Sequence, residues 1–461
     1  SEVIVRQAVS DAAASGSTVA KALSNSLFKL AEETANPAYY HPRFWAPFVI
    51  FGDGAVRLKQ VEHTSPARPR LEIQTFDQFR EGGEFTSILS VPGTPDLIVS
   101  GFADKENGRF KAIVQRIGPT GDVRWTRWRA DIGSGSAVLW NDSILASGFD
   151  YETNGWRGVL TRYTLDGHPI WERRLDADTF VMAMAPRGEE MNVVALPGAW
   201  ETSAKSQVRL FRVNSDGTVR KVITLLLKGR LPIVPNRAIV KVEGATTTVW
   251  ISSFFLDSFL DSDKDRFRLD PYSVRRDCGL RKITLRVTVS NETDEVLDRQ
   301  PLSGIDARAF SQLDSTGYIG GSFEVGCMNM ARAVIAATPD IRDPVYEGPP
   351  GFSTFISTIS ATSRGALIGL GFARLQVNAL ESSTQAGVGL EVASFANTQT
   401  DELRPWFIVR VDPKSRVSSA YPFGTGSDLR LASSTMFDDG IVAAGSLGGH
   451  PVLLRVTLPE P

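Results

Sequence analysis

Tryptophans near predicted turns are the first residues of this chain that could bind a ligand. Exposed aromatic rings anchor peptides, and they also stack on sugars. The alternative for each ring is partial burial at the edge of a sheet. The candidate ligand-binding residues are Trp128, Trp140, Trp156 and Trp200.

An acidic insertion could bind a metal ion. Asp261, Asp263 and Asp265 alternate along the chain, so their carboxylates can converge on one hard cation such as Ca²⁺. Arg266, however, stands at the position where an EF-hand loop requires glycine. A solvated loop with internal ion pairs is therefore the alternative, and no other cofactor is expected.

The histidines form no recognisable catalytic arrangement. Nucleophilic catalysis by cysteine or serine needs a nearby base, most often histidine. Of the four histidines, His168 and His450 lie in predicted turns and His41 lies in a proline-broken loop. We therefore expect no catalytic residue in this chain.

Composition indicates a globular chain without a strong overall charge. Hydrophobic residues make up 42% and charged residues 22% of the 461 residues, close to the average of globular proteins. The net charge of -2 favours neither nucleic acid nor an anionic membrane as a partner. No run reaches the roughly 18 apolar residues of a membrane-spanning helix, and the cytoplasm is favoured as the compartment.

One short motif recurs along the chain. It is an apolar run that ends in small residues and usually an aromatic residue. Each copy is followed, after a polar stretch, by a second run with the alternation of a half-buried strand. The seven copies span residues 97–102, 143–149, 192–199, 249–255, 318–323, 366–372 and 441–447.

These units predict an all-β fold, a seven-bladed β-propeller. Asp166-Gly167 and Asp216-Gly217 predict two-residue hairpins between the third and fourth strands of a unit. The last unit lacks a fourth strand, whereas an unpaired strand at residues 71–79 precedes the first unit. Pairing this strand with the last blade would close the ring and remove two exposed edges.

The two cysteines could form a disulfide bond. Cys278 and Cys327 fall between the second and third strands of adjacent predicted blades, so their loops lie on the same face of the ring. A bond requires Cα atoms within about 7 Å and would imply an oxidising compartment. Two reduced thiols are the alternative.

A turn with adjacent Asp and Gly residues followed by tryptophan occurs around Trp125 and Trp171, as Gly121-Asp122 before Trp125 and as Asp166-Gly167 before Trp171. This pattern weakly resembles the blades of quinoprotein-type propellers, in which tryptophans dock between blades. Because no coherent set of cofactor ligands accompanies it, we expect these rings to pack one blade on the next.

The N-terminal segment differs from the repeats. Residues 21–33, KALSNSLFKLAEE, form a predicted amphipathic helix, and residues 41–54, HPRFWAPFVIFGDG, contain a short apolar run. Together they resemble the C-terminal end of CHAT domains, the caspase-like cysteine peptidase domains of bacteria. The match rests on Trp45, Ala46, Pro47, Phe48, Gly52 and Asp53.

This resemblance implies a domain organisation. Residues 1–58 would be a small α/β remnant of a CHAT-like domain, residues 59–69 a linker and residues 70–461 the propeller. The family's catalytic His and Cys lie upstream of the matched ending. The chain would therefore be the non-catalytic C-terminal part of a longer cysteine peptidase.

Three functions remain open on these grounds. The first is recognition: one face of the propeller binds a protein or peptide that is the substrate or activator of the upstream peptidase domain. The second is a glycan-binding or glycan-processing site at the channel mouth, which would need two carboxylates about 5 to 10 Å apart. The third is a structural or assembly module.

Overall fold

A computed structural model describes residue 25 and residues 69–457 with gaps. The gaps are residues 77, 107–108, 130–131, 134, 153–154, 178, 197–206, 228–232, 256–280, 304, 326–329, 339–342, 349–352, 375–405, 417, 424–428 and 438–439. The chain divides into two compact units, Ser1–Arg68 and Pro69–Pro461. In the first unit only Asn25 is described, and it is helical. The CHAT-like ending and His41 lie outside the described residues.

The second unit is a seven-bladed β-propeller, as the repeat predicted. Each blade is a sheet of antiparallel strands, and the motif forms its second strand. The first three blades consist of β2 (Gly83–Ser90), β3 (Leu97–Glu106), β4 (Arg109–Ile117) and β5 (Val123–Arg129); β6 (Ile132–Gly133), β7 (Ala137–Trp140), β8 (Ser143–Glu152), β9 (Gly155–Thr164) and β10 (Pro169–Ala177); and β11 (Phe180–Arg187), β12 (Glu190–Leu196), β13 (Gln207–Asn214) and β14 (Val219–Leu227).

The remaining four blades follow the same order. They consist of β15 (Ile233–Glu243), β16 (Thr246–Phe255), β17 (Arg281–Ser290) and β18 (Val296–Ser303); β19 (Ile305–Leu313), β20 (Thr316–Val325), β21 (Met330–Ala337) and β22 (Pro344–Glu347); β23 (Ser353–Ala361), β24 (Leu367–Arg374), β25 (Trp406–Val411) and β26 (Ser418–Phe423); and β27 (Arg430–Phe437), β28 (Gly440–Leu447), β29 (His450–Thr457) and β1 (Arg70–Thr75).

The hydrophobic core lies between the blades. The second strands are buried on both sides, as in β12, where every residue after Glu190 is buried. Both faces of such a strand pack against a neighbouring blade, so its sequence is continuously apolar instead of alternating. Buried clusters join each pair of consecutive blades around the ring, including the last and the first.

The predicted closing strand is confirmed. β1 pairs antiparallel with β29, from Arg70 opposite Thr457 to Thr75 opposite Val452. The strand is shorter than the predicted 71–79 because the chain leaves the sheet after Thr75. Phe76 is then 3% exposed and packs in the core between the last and first blades.

The turns between third and fourth strands differ from the prediction. Gly167 N–H donates to Thr164 O at 2.9 Å, and Thr164 N–H donates to His168 O at 2.8 Å. Of the Asp166-Gly167 pair only Gly167 has positive φ, at 81°. The loop therefore has three residues, a type I turn followed by a left-handed glycine, and the two-residue prediction is wrong. The same pattern recurs from Asn214 to Thr218.

Two tryptophans of the fourth strands dock on the turn of the next blade. Trp125 Nε1 donates to Leu165 O at 3.1 Å, and Trp171 Nε1 donates to Ser215 O at 2.8 Å. The rings cover the turn glycines: a Cβ at Gly167 would lie 2.7 Å from the Trp125 ring. The prediction that these rings pack one blade on the next is confirmed.

Arginines of the third strands bind the same turns. Arg116 and Arg162 each donate through Nη1 to the carbonyl oxygen that the tryptophan of their own blade contacts, at 3.1 and 2.6 Å. In the last blade, Arg455 Nη2 donates to Pro119 O at 2.5 Å. Gln74 of the closing strand takes the place of the tryptophan there and donates to Gly121 O at 3.1 Å. The closure thus uses the same contacts as the neighbouring junctions.

The two faces of the ring differ in their connections. The turn face carries the turns between first and second strands and between third and fourth strands. The loop face carries the connections between second and third strands, and those from each fourth strand to the next blade. The described strands that flank residues 197–206, 256–280 and 375–405 are second and third strands, and their ends lie on the loop face.

Candidate functional site

The candidate site is the loop-face half of the central channel, which the first strands of the blades surround. Six of these strands contain a β-bulge or register shift, and in the second blade the first strand is split into β6 and β7. A bulge changes the direction of a strand and re-aims its side chains, which is common beside binding sites. Most bulges carry small or neutral side chains, whereas the extra residue in blade five is Arg308 and the residue after the bulge in blade four is Arg237.

Blades four and five place two arginines and one aspartate together. Arg308 of β19 donates through Nε and Nη2 to Asp306 Oδ2, at 3.0 and 2.9 Å. Arg237 of β15 faces this pair. Burial lowers the pKa of Arg237, the charge of Arg308 lowers it further, and Asp306 partly offsets both effects. The side chain is nevertheless exposed to solvent, which fits a group that points into a channel enclosed by protein.

Aromatic rings of blade six border the Arg308 side chain. The Arg308 Cζ atom lies 4.6 Å from the centre of the Phe355 ring and 5.8 Å from that of Phe372. The two rings stack at 5.1 Å, and Phe372 contacts Trp406 at 5.3 Å. These cation–π contacts fix the guanidinium beside an apolar wall.

Blades one and seven add a second pair of charges at the same level. Glu84 is in β2 and Arg430 is the first residue of β27, the neighbouring first strand. Burial raises the pKa of the Glu84 carboxyl, and the charge of Arg430 opposes this effect. Arg430 is exposed and forms no hydrogen bond or ion pair within the described part of the chain.

The site is therefore rich in guanidinium groups. Arg237, Arg308 and Arg430 face two carboxylates, and Asp306 is already held by Arg308. Guanidinium groups bind carboxylates and phosphates with paired hydrogen bonds. The arrangement can receive an anionic group, and it offers no nucleophile next to a base among the described residues.

Sequence analysis missed all five charged residues of this site. They come from four blades, and only Asp306 and Arg308 are close in the chain, so no spacing links the whole set. The available signal was weak: Glu84, Asp306 and Arg430 occupy equivalent positions beside the bulges of three first strands, but they differ in sign.

The predicted tryptophans occupy different environments. Trp128 lies near the loop-face end of β5, is 41% exposed, and its ring meets Phe79 edge-on at 5.7 Å. It remains a candidate for ligand contact on the loop face. Phe323 of β20, 44% exposed, is another exposed ring at that face.

Trp140 is not an exposed anchor. Its side chain is fully buried, donates from Nε1 to Gly188 O at 3.1 Å, and packs edge-on against Trp171 at 6.5 Å. The prediction fails because the residue is on the short inner strand β7, between two blades. Trp156 is on β9, opposite Tyr151, and its side chain is not described.

Several predicted sites fall outside the described residues. These are Trp200, the calcium candidates Asp261, Asp263 and Asp265, and both members of the predicted disulfide, Cys278 and Cys327. Within the described residues, no group of three or more His, Cys, Asp or Glu side chains could hold a metal ion. The calcium and disulfide predictions stay predictions.

A small cavity lies between blades one and two. Its volume is about 20 Å³, and Arg127, Arg129 and Tyr163 contribute to its lining. This is space for about one water molecule. The cavity is too small for an organic ligand.

Comparisons with known proteins bear on the fold. No protein-family model and no curated protein matches the sequence. An oligogalacturonate lyase from Vibrio parahaemolyticus is 11% identical over 86% of this chain and 99% of that chain, with a TM-score of 0.47. The WD40 repeats of RRP9 are 8% identical over 84% of this chain and 97% of that chain, with a TM-score of 0.45.

A third similar structure is the β-propeller domain of the Trilobed protease from Pyrococcus furiosus. It is 7% identical over 82% of this chain and 97% of that chain, with a TM-score of 0.43. What the comparisons share with this chain is the β-propeller fold. None of these comparisons supports the CHAT resemblance.

Among the described residues, no helix has the length and apolar character to cross a membrane.

Proposed function

We propose that this propeller is a recognition module that binds a protein or peptide on its loop face. One observation carries the proposal. Turn-face arginines such as Arg116 and Arg162 are fixed by the turn of the next blade. At the channel mouth, Arg237 and Arg430 are exposed and have no hydrogen bond or ion pair among the described residues. Their donors are available to a partner.

The exposed aromatic rings also support the loop face as the binding surface. Trp128 and Phe323 lie on the loop-face side of their blades and are half exposed. Aromatic and arginine side chains are the residue types that contribute most to binding at protein interfaces. A ligand that extends from the channel mouth outward across the loop face would therefore meet both kinds of anchor.

The test is affinity capture from the source cell, followed by mass spectrometry. The bait is the chain itself, beside the double variant Arg237→Ala/Arg430→Ala and the turn-face control Lys414→Ala. We expect a partner that the wild type and the control retain and the double variant loses. If Lys414→Ala lost the partner and the double variant retained it, the loop face would be rejected as the binding surface.

The CHAT resemblance adds a finer proposal. If residues 1–58 end a peptidase domain, the partner would be its substrate or its activator. This extension rests on the sequence of that segment alone. It predicts that the gene encodes, upstream of Ser1, a His and a Cys that each follow an apolar strand. An upstream region without both residues would reject it.

A further inference from the structure

We infer that the ligand of the loop face is an acidic protein segment, which places a carboxylate at Arg237 in the mouth of the channel. This inference rests on the proposed recognition function and names the chemistry of its partner. Three observations support it: the charges of the channel, the neighbours of Arg308, and an Arg237 guanidinium that has no hydrogen bond or ion pair among the described residues.

The described charges of the channel mouth do not balance. Five charged side chains belong to the first strands that surround it: Glu84, Arg237, Asp306, Arg308 and Arg430. Asp306 accepts two hydrogen bonds from Arg308, and Glu84 interacts with Arg430 only through space. Three cations against two anions leave one positive charge among these side chains, and Arg237 and Arg430 have no hydrogen-bonded partner among the described residues.

Arg237 is exposed to solvent beside Arg308, which carries the same charge. Partial desolvation and like-charge repulsion both lower the pKa of Arg237. An anion that accepts hydrogen bonds from this guanidinium would offset both effects, because hydrogen bonds between charged groups are stronger than neutral ones. The vacant donors therefore select for a negative ligand group.

The surroundings of Arg308 favour a peptide over a nucleic acid. The stacked pair Phe355 and Phe372 lies directly beside Arg308, so an apolar side chain next to the acidic residue would find a matching surface. Nucleic acids instead require a row of cations along their phosphates. Glu84 and Asp306 interrupt such a row, and the whole chain has a net charge of -2.

The test measures binding of short labelled peptides by fluorescence anisotropy. The probes are an alternating Glu-Phe octapeptide, the matching Gln-Phe and Lys-Phe octapeptides, and an oligothymidylate of equal charge. We expect the Glu-Phe peptide to bind most tightly and its affinity to fall with added salt. Arg237→Gln should weaken that binding about tenfold to a hundredfold, the effect of losing a hydrogen bond to a charged group.

Two matched variants make the result specific. Arg237→Lys keeps the charge and should restore part of the affinity, whereas Lys414→Gln on the turn face should leave it unchanged. Circular dichroism and thermal unfolding of each variant verify the fold. Equal affinity for the Glu-Phe and Gln-Phe peptides, unchanged binding by Arg237→Gln, or preference for the oligothymidylate would each overturn the inference.

The outcome also separates this inference from the proposed function. A captured partner that depends on Arg237 and Arg430, but that excess Glu-Phe peptide does not displace, would reject an acidic ligand and keep the loop face as the binding surface. Failure to capture any partner through that face would reject both.

Discussion

Two arcs of the ring join their blades by different means. From blade seven through blades one, two and three to blade four, a third-strand arginine reaches the third-to-fourth turn of the next blade. We call these four junctions docked. The junctions from blade four through five and six to seven show no such contact among the described residues, and we call them undocked.

The sequence difference between the arcs is small. The same register position holds arginine in six of the seven blades, and Ala337 in blade five. These arginines are Arg116, Arg162, Arg212, Arg286, Arg410 and Arg455.

What differs is the partner. Arg286 lies 3.7 Å from Asp298 of its own blade. The third-to-fourth connection of blade five includes residues 339–342, which lie outside the described residues. Arg410 is followed by blade seven, whose third and fourth strands, β29 and β1, are not joined by a turn that could supply an acceptor, and Arg410 forms no such contact among the described residues. Undocked junctions use other contacts, such as the exposed pair Arg416 and Asp343 at 2.8 Å.

The largest contrast between the arcs should come from Arg212. It is fully buried between blades three and four and donates to Asn192, Asp294 and Asn291. Arg212→Met leaves those groups buried without their donor and should cost about 3–5 kcal/mol. Arg410→Met, at the equivalent position of an undocked junction, should stay within about 0.5 kcal/mol. Urea unfolding measures both, and equal losses would remove the distinction between the arcs.

The second contrast concerns the docked tryptophan. Trp125→Ala removes a partly buried ring and its hydrogen bond to Leu165 O, and we expect a loss of about 2–3 kcal/mol. Trp128→Ala, three residues along the same strand, removes a half-exposed ring and should cost less than about 1 kcal/mol. Thermal unfolding compares the two variants. A larger loss of stability from Trp128→Ala would mean that the contact between the Trp125 ring and the turn contributes little to stability.

A third, smaller effect isolates the fit between ring and turn. Gly167 and Gly188 both have positive φ, at 81° and 55°, but only Gly167 faces a ring. Substitution by alanine should cost each about 1–2 kcal/mol for the left-handed backbone, with a further loss at Gly167.

A double-mutant cycle checks the origin of that further loss. In the Trp125→Ala background, Gly167→Ala should cost no more than Gly188→Ala, because the clashing ring is gone. If Gly167→Ala still cost more stability than Gly188→Ala without the Trp125 ring, the extra loss would come from the backbone instead of from a clash with the ring.

The smallest expected effect on stability comes from a charge in the channel, Glu84, and does not involve the junctions between blades. Burial raises the folded-state pKa of Glu84 above its ordinary value, so the folded protein binds more protons than the unfolded chain between the two values. Stability therefore falls as pH rises through that window. Glu84→Gln should remove this slope and raise stability at neutral pH. Thermal unfolding as a function of pH that shows the same slope in both proteins would contradict this.

The architecture could be predicted because it follows from local pattern and counting. Seven apolar motifs, each followed by an alternating strand, determine the number of blades, and the missing fourth strand identifies the closing segment. The turn type was missed because Asp-Gly suits more than one hairpin. Trp140 was misplaced because the strand that buries it has only four residues.

The junction arginines and the channel site were missed for a different reason. An arginine such as Arg162 acts on a turn that follows it by about one repeat, so its role is visible only when all copies are superimposed. The channel site depends on ring closure, which brings residues as distant as Glu84 and Arg430 onto neighbouring strands.

The pairing of β1 with β29 also has a consequence for biosynthesis. Arg70 is translated near the start of the propeller, and Thr457, its partner, near the end. During elongation at about 5–20 residues per second, β1 therefore waits with an open edge until every blade has left the ribosome. Nascent chains are most exposed to edge-to-edge association during that interval, and chaperone binding to β1 would matter only before the last strand is made.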